Sequence, residues 1–178
     1  YIAFEAELPS RAVLLPGGEQ VLFAHQGRVY LARSVLGKAP EPRAIGQHQG
    51  RVDALAAGEA GLASASGSEV VLYGSKGSVL GRVAQPNPVA GLALRPDEFV
   101  TLDLGGTLRG WSSQADQPSW SLELGERATQ LALSPQGELA AVVGEEPRVL
   151  LVDLVARRVV ERVDLGPSRL EPSCAGWS

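Results

Sequence analysis

Gln130-Leu131-Ala132-Leu133-Ser134-Pro135, a turn at Gln136-Gly137, then Leu139-Ala140-Ala141-Val142-Val143-Gly144, a second turn, and Val149-Leu150-Leu151-Val152-Asp153 form the stretch whose reading decides the fold. Short runs of aliphatic and β-branched residues are bounded here by Ser, Pro and Gly. Such punctuation predicts three short strands joined by two hairpin turns.

Outward from this stretch the pattern recurs. The third-strand signature stands at Arg28 to Ala32, Glu69 to Tyr73, Thr107 to Trp111 and Arg148 to Val152, and the steps from Val29 to Val70, Leu108 and Val149 are 41, 38 and 41 residues. A period near 40 built from short strands is the mark of a β-propeller, whereas helical repeats of similar length would need a 3.6-residue periodicity that is absent. First strands are expected near Ala12 to Leu15, Val52 to Ala56, Val89 to Leu94 and Thr129 to Leu133. Second strands are expected at Gln20 to Ala24, Gly61 to Ala65, Phe99 to Leu102 and Leu139 to Val143. Outer, fourth strands are expected at Ser78 to Val83, Ser119 to Leu124 and Val159 to Leu165, with a weaker one around Arg43 to Ile45. Alternation of apolar and charged residues in Val159 to Asp164 suits an edge strand with one solvated side.

The ends fit the same period. Tyr1 to Leu8 aligns with an outer strand, and Cys174 to Ser178 aligns with Gln130 to Ser134 at an offset of 44. Residues 1–178 therefore read as part of one propeller domain. It comprises an outer strand of a preceding or closing blade over 1–9, blades over 10–46, 47–86, 87–125 and 126–166, and the start of another over 167–178. The fold class is all-β, with four-stranded antiparallel blades that must cover each other's apolar faces.

Composition narrows the function. The 178 residues are 44% hydrophobic, and the formal charge of -4 arises from 20 acidic and 16 basic side chains without a long like-charged run. Nucleic acid and anionic membranes need a concentrated basic face, so neither is expected as a partner. No apolar run approaches the roughly 20 residues that span a bilayer. The one cysteine, Cys174, excludes a disulfide within the chain and reads as a small buried hydrophobe. These features favour a cytoplasmic or other intracellular location, although the chain starts at Tyr1 and holds no methionine, so the natural start is expected to be missing.

Two units carry motifs. His48-Gln49-Gly50-Arg51-Val52-Asp53-Ala54-Leu55-Ala56, Leu62-Ala63-Ser64-Ala65-Ser66-Gly67 and Val70-Val71-Leu72-Tyr73 resemble a WD-repeat, as do Phe99 to Leu102 with Gly105-Gly106-Thr107-Leu108-Arg109-Gly110-Trp111-Ser112. In that family a loop histidine, a second-strand serine or threonine, a turn aspartate and a third-strand tryptophan form a hydrogen-bonded chain inside each blade. The resemblance assigns His48, Ser64 and Tyr73 to this chain in the second unit, with the aspartate lacking. It assigns Thr101 and Trp111 in the third unit, without the histidine or the aspartate. The fourth unit, Arg148 to Leu154 followed by Arg158 to Gly166, resembles blades of surface-layer and lactonase-type propellers. Related families usually close with about six to eight blades, so the chain reads as part of a larger ring with roughly two or three blades outside it.

Catalytic chemistry is sparse. His25 and His48 lack a second histidine or a cysteine at metal-ligand spacing, so no metal or cofactor is expected. His25 reads as an exposed turn residue, and Asp97-Glu98 and Glu145-Glu146 read as solvated turn carboxylates. Gly17-Gly18 and Gly105-Gly106 read as hairpin turns and not as phosphate loops, because they do not open helices. No nucleophile elbow and no serine, histidine and acid arrangement is composed by these residues, and no catalytic residue is assigned. Trp111, Trp120 and Trp177 read as filling between blades, and small second-strand residues such as Ala63, Ala65, Ala140 and Ala141 as permitting close packing.

What remains is surface. By the WD-repeat resemblance, Arg11, Arg51 and Arg127 stand on the face that carries protein or peptide contacts, where a guanidinium fork binds carboxylates. The expected function is a non-catalytic protein- or peptide-binding scaffold using one propeller face. The alternatives are a lactonase- or quinoprotein-type enzyme whose ligands lie mostly outside this segment, and a structural subunit of a multi-protein assembly.

Overall fold

Short aliphatic runs separated by Gly- and Pro-containing turns pair locally, since two-residue turns leave adjacent strands no other nearby partner. The computed structural model describes residues 10–33, 41–112 and 116–166. Among these residues sixteen strands form four antiparallel four-stranded sheets, each ordered as its strands follow in the chain. The first blade holds β1 (Arg11–Leu14), β2 (Gln20–His25), β3 (Arg28–Arg33) and β4 (Arg43–Gln47). The second holds β5 (Ala54–Gly58), β6 (Gly61–Ser66), β7 (Glu69–Tyr73) and β8 (Val79–Ala84). The third is β9 (Val89–Leu94), β10 (Glu98–Asp103), β11 (Thr107–Ser112) and β12 (Trp120–Glu123). The fourth is β13 (Ala128–Leu133), β14 (Leu139–Gly144), β15 (Arg148–Asp153) and β16 (Arg158–Asp164). The architecture is an all-β propeller.

Blades bury one another through strand parity. Along β6, Leu62 joins a core with Leu22, Ala24 and Val29 of the first blade, while Ala63 and Ala65 join a core with Val89, Phe99 and Trp111 of the third. Along β10, Phe99 faces the second blade, and Val100 and Leu102 face the fourth, where they meet Ala140, Val142, Leu150 and Val152. Adjacent side chains of a strand point to opposite faces, so each middle blade supplies two cores at once. At about 1.5–3 kcal/mol for each large apolar side chain withdrawn from water, such cores stabilise blades that could not stand alone. Trp111 and Trp120 lie buried in these cores, as expected. Ala63, Ala65 and Ala140 are fully enclosed, whereas Ala141 is only half-buried.

Several expected boundaries shift. Leu15 falls outside β1, and β5 starts at Ala54, two residues later than expected. Val52 is fully buried in the preceding loop, because the Asp53 amide already bonds the Ala65 carbonyl at 2.8 Å and the Asp53 carboxylate accepts the Gly67 N–H at 2.9 Å. β4 extends to Gln47, making the first blade as complete as the others. His25 is not an exposed turn residue: it ends β2, half-buried, and the turn proper is Gln26-Gly27, with φ of 48° and 76°. The outer strand β16 is exposed along nearly its whole length, with Arg158, Glu161, Arg162 and Asp164 at its edge. No helix among the described residues is long and apolar enough to cross a membrane. The expected strands over 1–9 and 167–178, with Cys174 and Trp177, lie outside the described residues.

Candidate functional site

In a four-stranded antiparallel blade, the turn between the second and third strands and the loop leading to the next blade emerge at the same end. Arg11 opens β1 at this end, paired in register with Ala24 near the β2–β3 turn. Arg51 lies in the β4–β5 loop and Arg127 in the β12–β13 loop, so all three arginines belong to one face. Their uses differ. Arg11 donates through Nε to the Asp53 carbonyl at 2.9 Å, and Arg127 pairs with Glu145 at 3.2 Å with both side chains more than half exposed. An ion pair so exposed contributes only about 0–1 kcal/mol. Arg51 is exposed and makes no ion pair among the described residues.

Beneath this face the second blade contains a linear polar chain. The Nε2 of His48 is 2.7 Å from the Oγ of Ser64, which is 3.0 Å from the Tyr73 hydroxyl. The other ring nitrogen, Nδ1, is 2.9 Å from a carboxylate oxygen of Glu69. One proton assignment satisfies every member: Tyr73 donates to Ser64, Ser64 to Nε2, and Nδ1–H to Glu69. The turn aspartate is lacking, as the sequence shows, and a glutamate takes its place at the ring. Glu69, at the start of β7 and one methylene longer than aspartate, reaches the ring from outside the turn. Burial alone would raise the Glu69 carboxyl, but hydrogen bonds from Arg82 and His48, together with the Arg82 charge, hold it below the usual carboxylate range. Burial pushes the Tyr73 phenol up, with the hydrogen bond to Ser64 opposing it.

The third blade solves the same problem with different side chains. Trp111 Nε1 donates to Thr101 Oγ1 at 3.0 Å, and Thr101 donates to Gln85 Oε1 at 2.8 Å. Gln85 then donates to the Asn87 carbonyl at 3.1 Å. An amide thus stands where the second blade has an imidazole. Beside this chain lies a residue that motif matching missed, Asp103, fully buried at the end of β10. It accepts from the Thr107 amide at 2.9 Å, Asn87 Nδ2 at 3.0 Å and Arg109 at 2.6 Å. Burial would raise its pKa, but Arg109, the Thr107 amide and Asn87 hold the carboxyl below the usual range. An Asp directly after the strand residues Phe99-Val100-Thr101-Leu102, with Arg109 two residues before Trp111, is the sequence signal that could have found it.

In the fourth blade the polar chain is gone. Val152 pairs with Ala140, two residues before Val142, as Trp111 pairs with Phe99, two residues before Thr101. Val142 and Val152 are fully buried in one apolar cluster with Leu124. Aliphatic packing replaces the hydrogen bonds at these positions.

The contacts around His48 correct a further expectation, because Ser64, His48 and Glu69 do form a serine–histidine–carboxylate array. Ser64 is nevertheless 0% exposed and His48 4%, with Ser64 in mid-strand and held by Tyr73. A nucleophile must reach its substrate, and this hydroxyl has no path to one. Above Ser64, the face opens into a cleft of about 910 Å³ whose lining includes His48 and Glu69 together with Gln49, Arg51, Ser68 and Arg82. No group of three or more metal-binding side chains occurs among the described residues.

No family model and no curated protein matches the sequence. Among solved structures, one whose title reads "Crystal Structure of Mitotic Checkpoint Complex" contains a similar chain, aligned over 92% of the present chain at 19% identity with a TM-score of 0.76. The alignment spans about half of that chain, 53%, and the likeness, with the four sheets described above, identifies the fold as that of a β-propeller.

Proposed function

We propose that the chain is part of a non-catalytic, WD-repeat-like scaffold that holds a protein or peptide on the face carrying Arg11, Arg51 and Arg127. The observation behind this reading is the contrast within the second blade. Its Ser64 and His48 side chains are buried inside the sheet, with Glu69 part-exposed at the edge of an open polar cleft that also carries an uncommitted guanidinium at Arg51. Hydrogen bonds that are complete and dry serve the blade, whereas solvent-facing donors are free to serve a partner. A similar chain within a multi-protein complex lends support to protein partners. The lone cysteine, with no disulfide possible within the chain, supports an intracellular site of action.

The test is affinity capture with the wild-type protein and the charge-reversal variant Arg11→Glu, Arg51→Glu, Arg127→Glu. Each recovered protein is then remeasured as a purified pair. Binding lost in the variant with unfolding unchanged is the expected result. Partners that bind both forms equally would overturn the assignment of this face, and turnover of a small substrate by the purified protein would overturn the non-catalytic reading.

A further inference from the structure

The opposite end of the blades carries a second surface, independent of the loop face above. The β5–β6 turn and the β9–β10 turn enclose a cleft of about 410 Å³ between the second and third blades, within the roughly 300–1,000 Å³ of ligand-sized clefts. Its apolar lining comes from Leu72, Leu80, Leu94 and Phe99. One wall is low because Gly61 sits there at φ +144°, where a Cβ would come within 2.4 Å of the Tyr73 carbonyl oxygen. Its neighbour is Ala60, so no long side chain fills the opening. At the rim, Leu80 is 62% exposed. An exposed apolar residue is common by itself, but Leu80 carries the apolar lining of the cleft out to its mouth.

Charge says what would cover it. Arg95 is consumed by Glu98, and Glu98 also accepts the Trp120 indole N–H at 3.0 Å, so the expectation that Asp97-Glu98 is a solvated pair fails for Glu98. Asp97 is exposed and has no ion pair among the described residues. Glu59, next to Ala60, is likewise exposed and unpaired. The nearby cation Arg43 donates to the Lys76 carbonyl, and Gly77 abuts Ile45, so the β7–β8 turn leans on the first blade, away from the cleft. Among the charged residues that line the cleft, Arg95 and Glu98 cancel and Asp97 remains, so the lining itself is left with one negative charge.

We propose that this cleft is a docking site for a protein segment that inserts a leucine or aromatic side chain over Leu80, Leu94 and Phe99 and places a lysine or arginine beside Asp97. An apolar anchor in a pocket with a charged neighbour at the rim is the usual arrangement of a binding hot spot.

The test uses three labelled hexapeptides, Gly-Lys-Leu-Phe-Lys-Gly, Gly-Glu-Leu-Phe-Glu-Gly and Gly-Lys-Ser-Ser-Lys-Gly, titrated by fluorescence anisotropy. The first is expected to bind most tightly. Leu80→Asp is expected to weaken it by about tenfold, the loss of one anchor contact. Asp97→Lys is expected to weaken it by up to about fivefold, as one exposed charge pair allows, while strengthening the glutamate peptide. Both positions are solvent-facing, and circular dichroism checks that the variants fold. No saturable binding of the first peptide, or affinity unmoved by both substitutions, would overturn the proposal. Loss of binding with Arg51→Glu instead would assign the peptide to the loop face and equally overturn it.

Discussion

His48 Nε2 and Ser64 Oγ lie 2.7 Å apart in a site from which water is excluded, with Tyr73 on the far side of the hydroxyl. Removing the hydroxyl leaves two buried polar groups without a partner. Ser64→Ala is expected to destabilise the protein by about 1–3 kcal/mol, the cost of orphaned polar groups. Combining it with Tyr73→Phe and His48→Leu is expected to recover part of that loss, since all partners are then apolar, as in the fourth blade. Urea unfolding of the single and triple variants measures both. A triple variant less stable than the sum of the singles would contradict this account.

The third blade offers a parallel test. Thr101 stands between the Trp111 indole and Gln85, so Thr101→Val breaks two hydrogen bonds at nearly constant volume, with an expected loss of about 1–3 kcal/mol. Trp111→Ala adds a cavity in the core shared with the second blade and is expected to cost about 3–5 kcal/mol. Comparable losses for the two variants would mean that the indole contributes through its N–H alone.

Asp103 governs part of the acid response. Its folded pKa lies below the unfolded value of about 3.9, so the stability it contributes is present above that value and is lost as pH falls through the folded pKa. Glu69 acts in the same direction but is 39% exposed and more screened. Stability measured from pH 7 to pH 2 is expected to decline below about pH 4, and Asp103→Asn to flatten that decline while lowering stability at neutral pH. Parallel curves for the two proteins would exclude Asp103 as a source.

Gly106 and Gly17 share a positive φ, 82° and 88°, but differ in surroundings. A Cβ at Gly106 would strike the Glu126 carbonyl oxygen, while one at Gly17 meets open space. Gly17→Ala is expected to cost only the backbone strain of about 1–2 kcal/mol. Gly106→Ala is expected to add about 1–3 kcal/mol of steric displacement. Thermal unfolding of the pair separates strain from clash.

Legibility in the sequence tracked how local each cause was. β9 and β7 matched their expected ranges because each carries a continuous run without charged residues, Val89 to Leu94 and Val70 to Tyr73, bounded by Gly- or Pro-containing turns. β5 did not: Val52 has the composition of a strand residue, yet the hydrogen bonds of Asp53 across to Ala65 and Gly67 hold it in a loop. His48, Ser64, Tyr73, Thr101 and Trp111 were found by motif, and the structure brings them together in two separate chains. Glu69, Gln85 and Asp103 were not found, because each completes its network from a position or with a side chain that the motif does not name.

By itself the sequence determined the period, the four-strand unit and the parity that gives each blade two apolar faces, since these follow from turn chemistry and from the twofold alternation of a strand. Tertiary structure alone decided which polar groups became partners. It placed Glu69 against His48 and Gln85 against Thr101, sealed Ser64 from solvent, and left Arg51 and Asp97 exposed at opposite ends. Those outcomes depend on distances across strands and between blades, where a methylene's difference in reach decides whether a hydrogen bond forms, and such distances exist only in the folded chain.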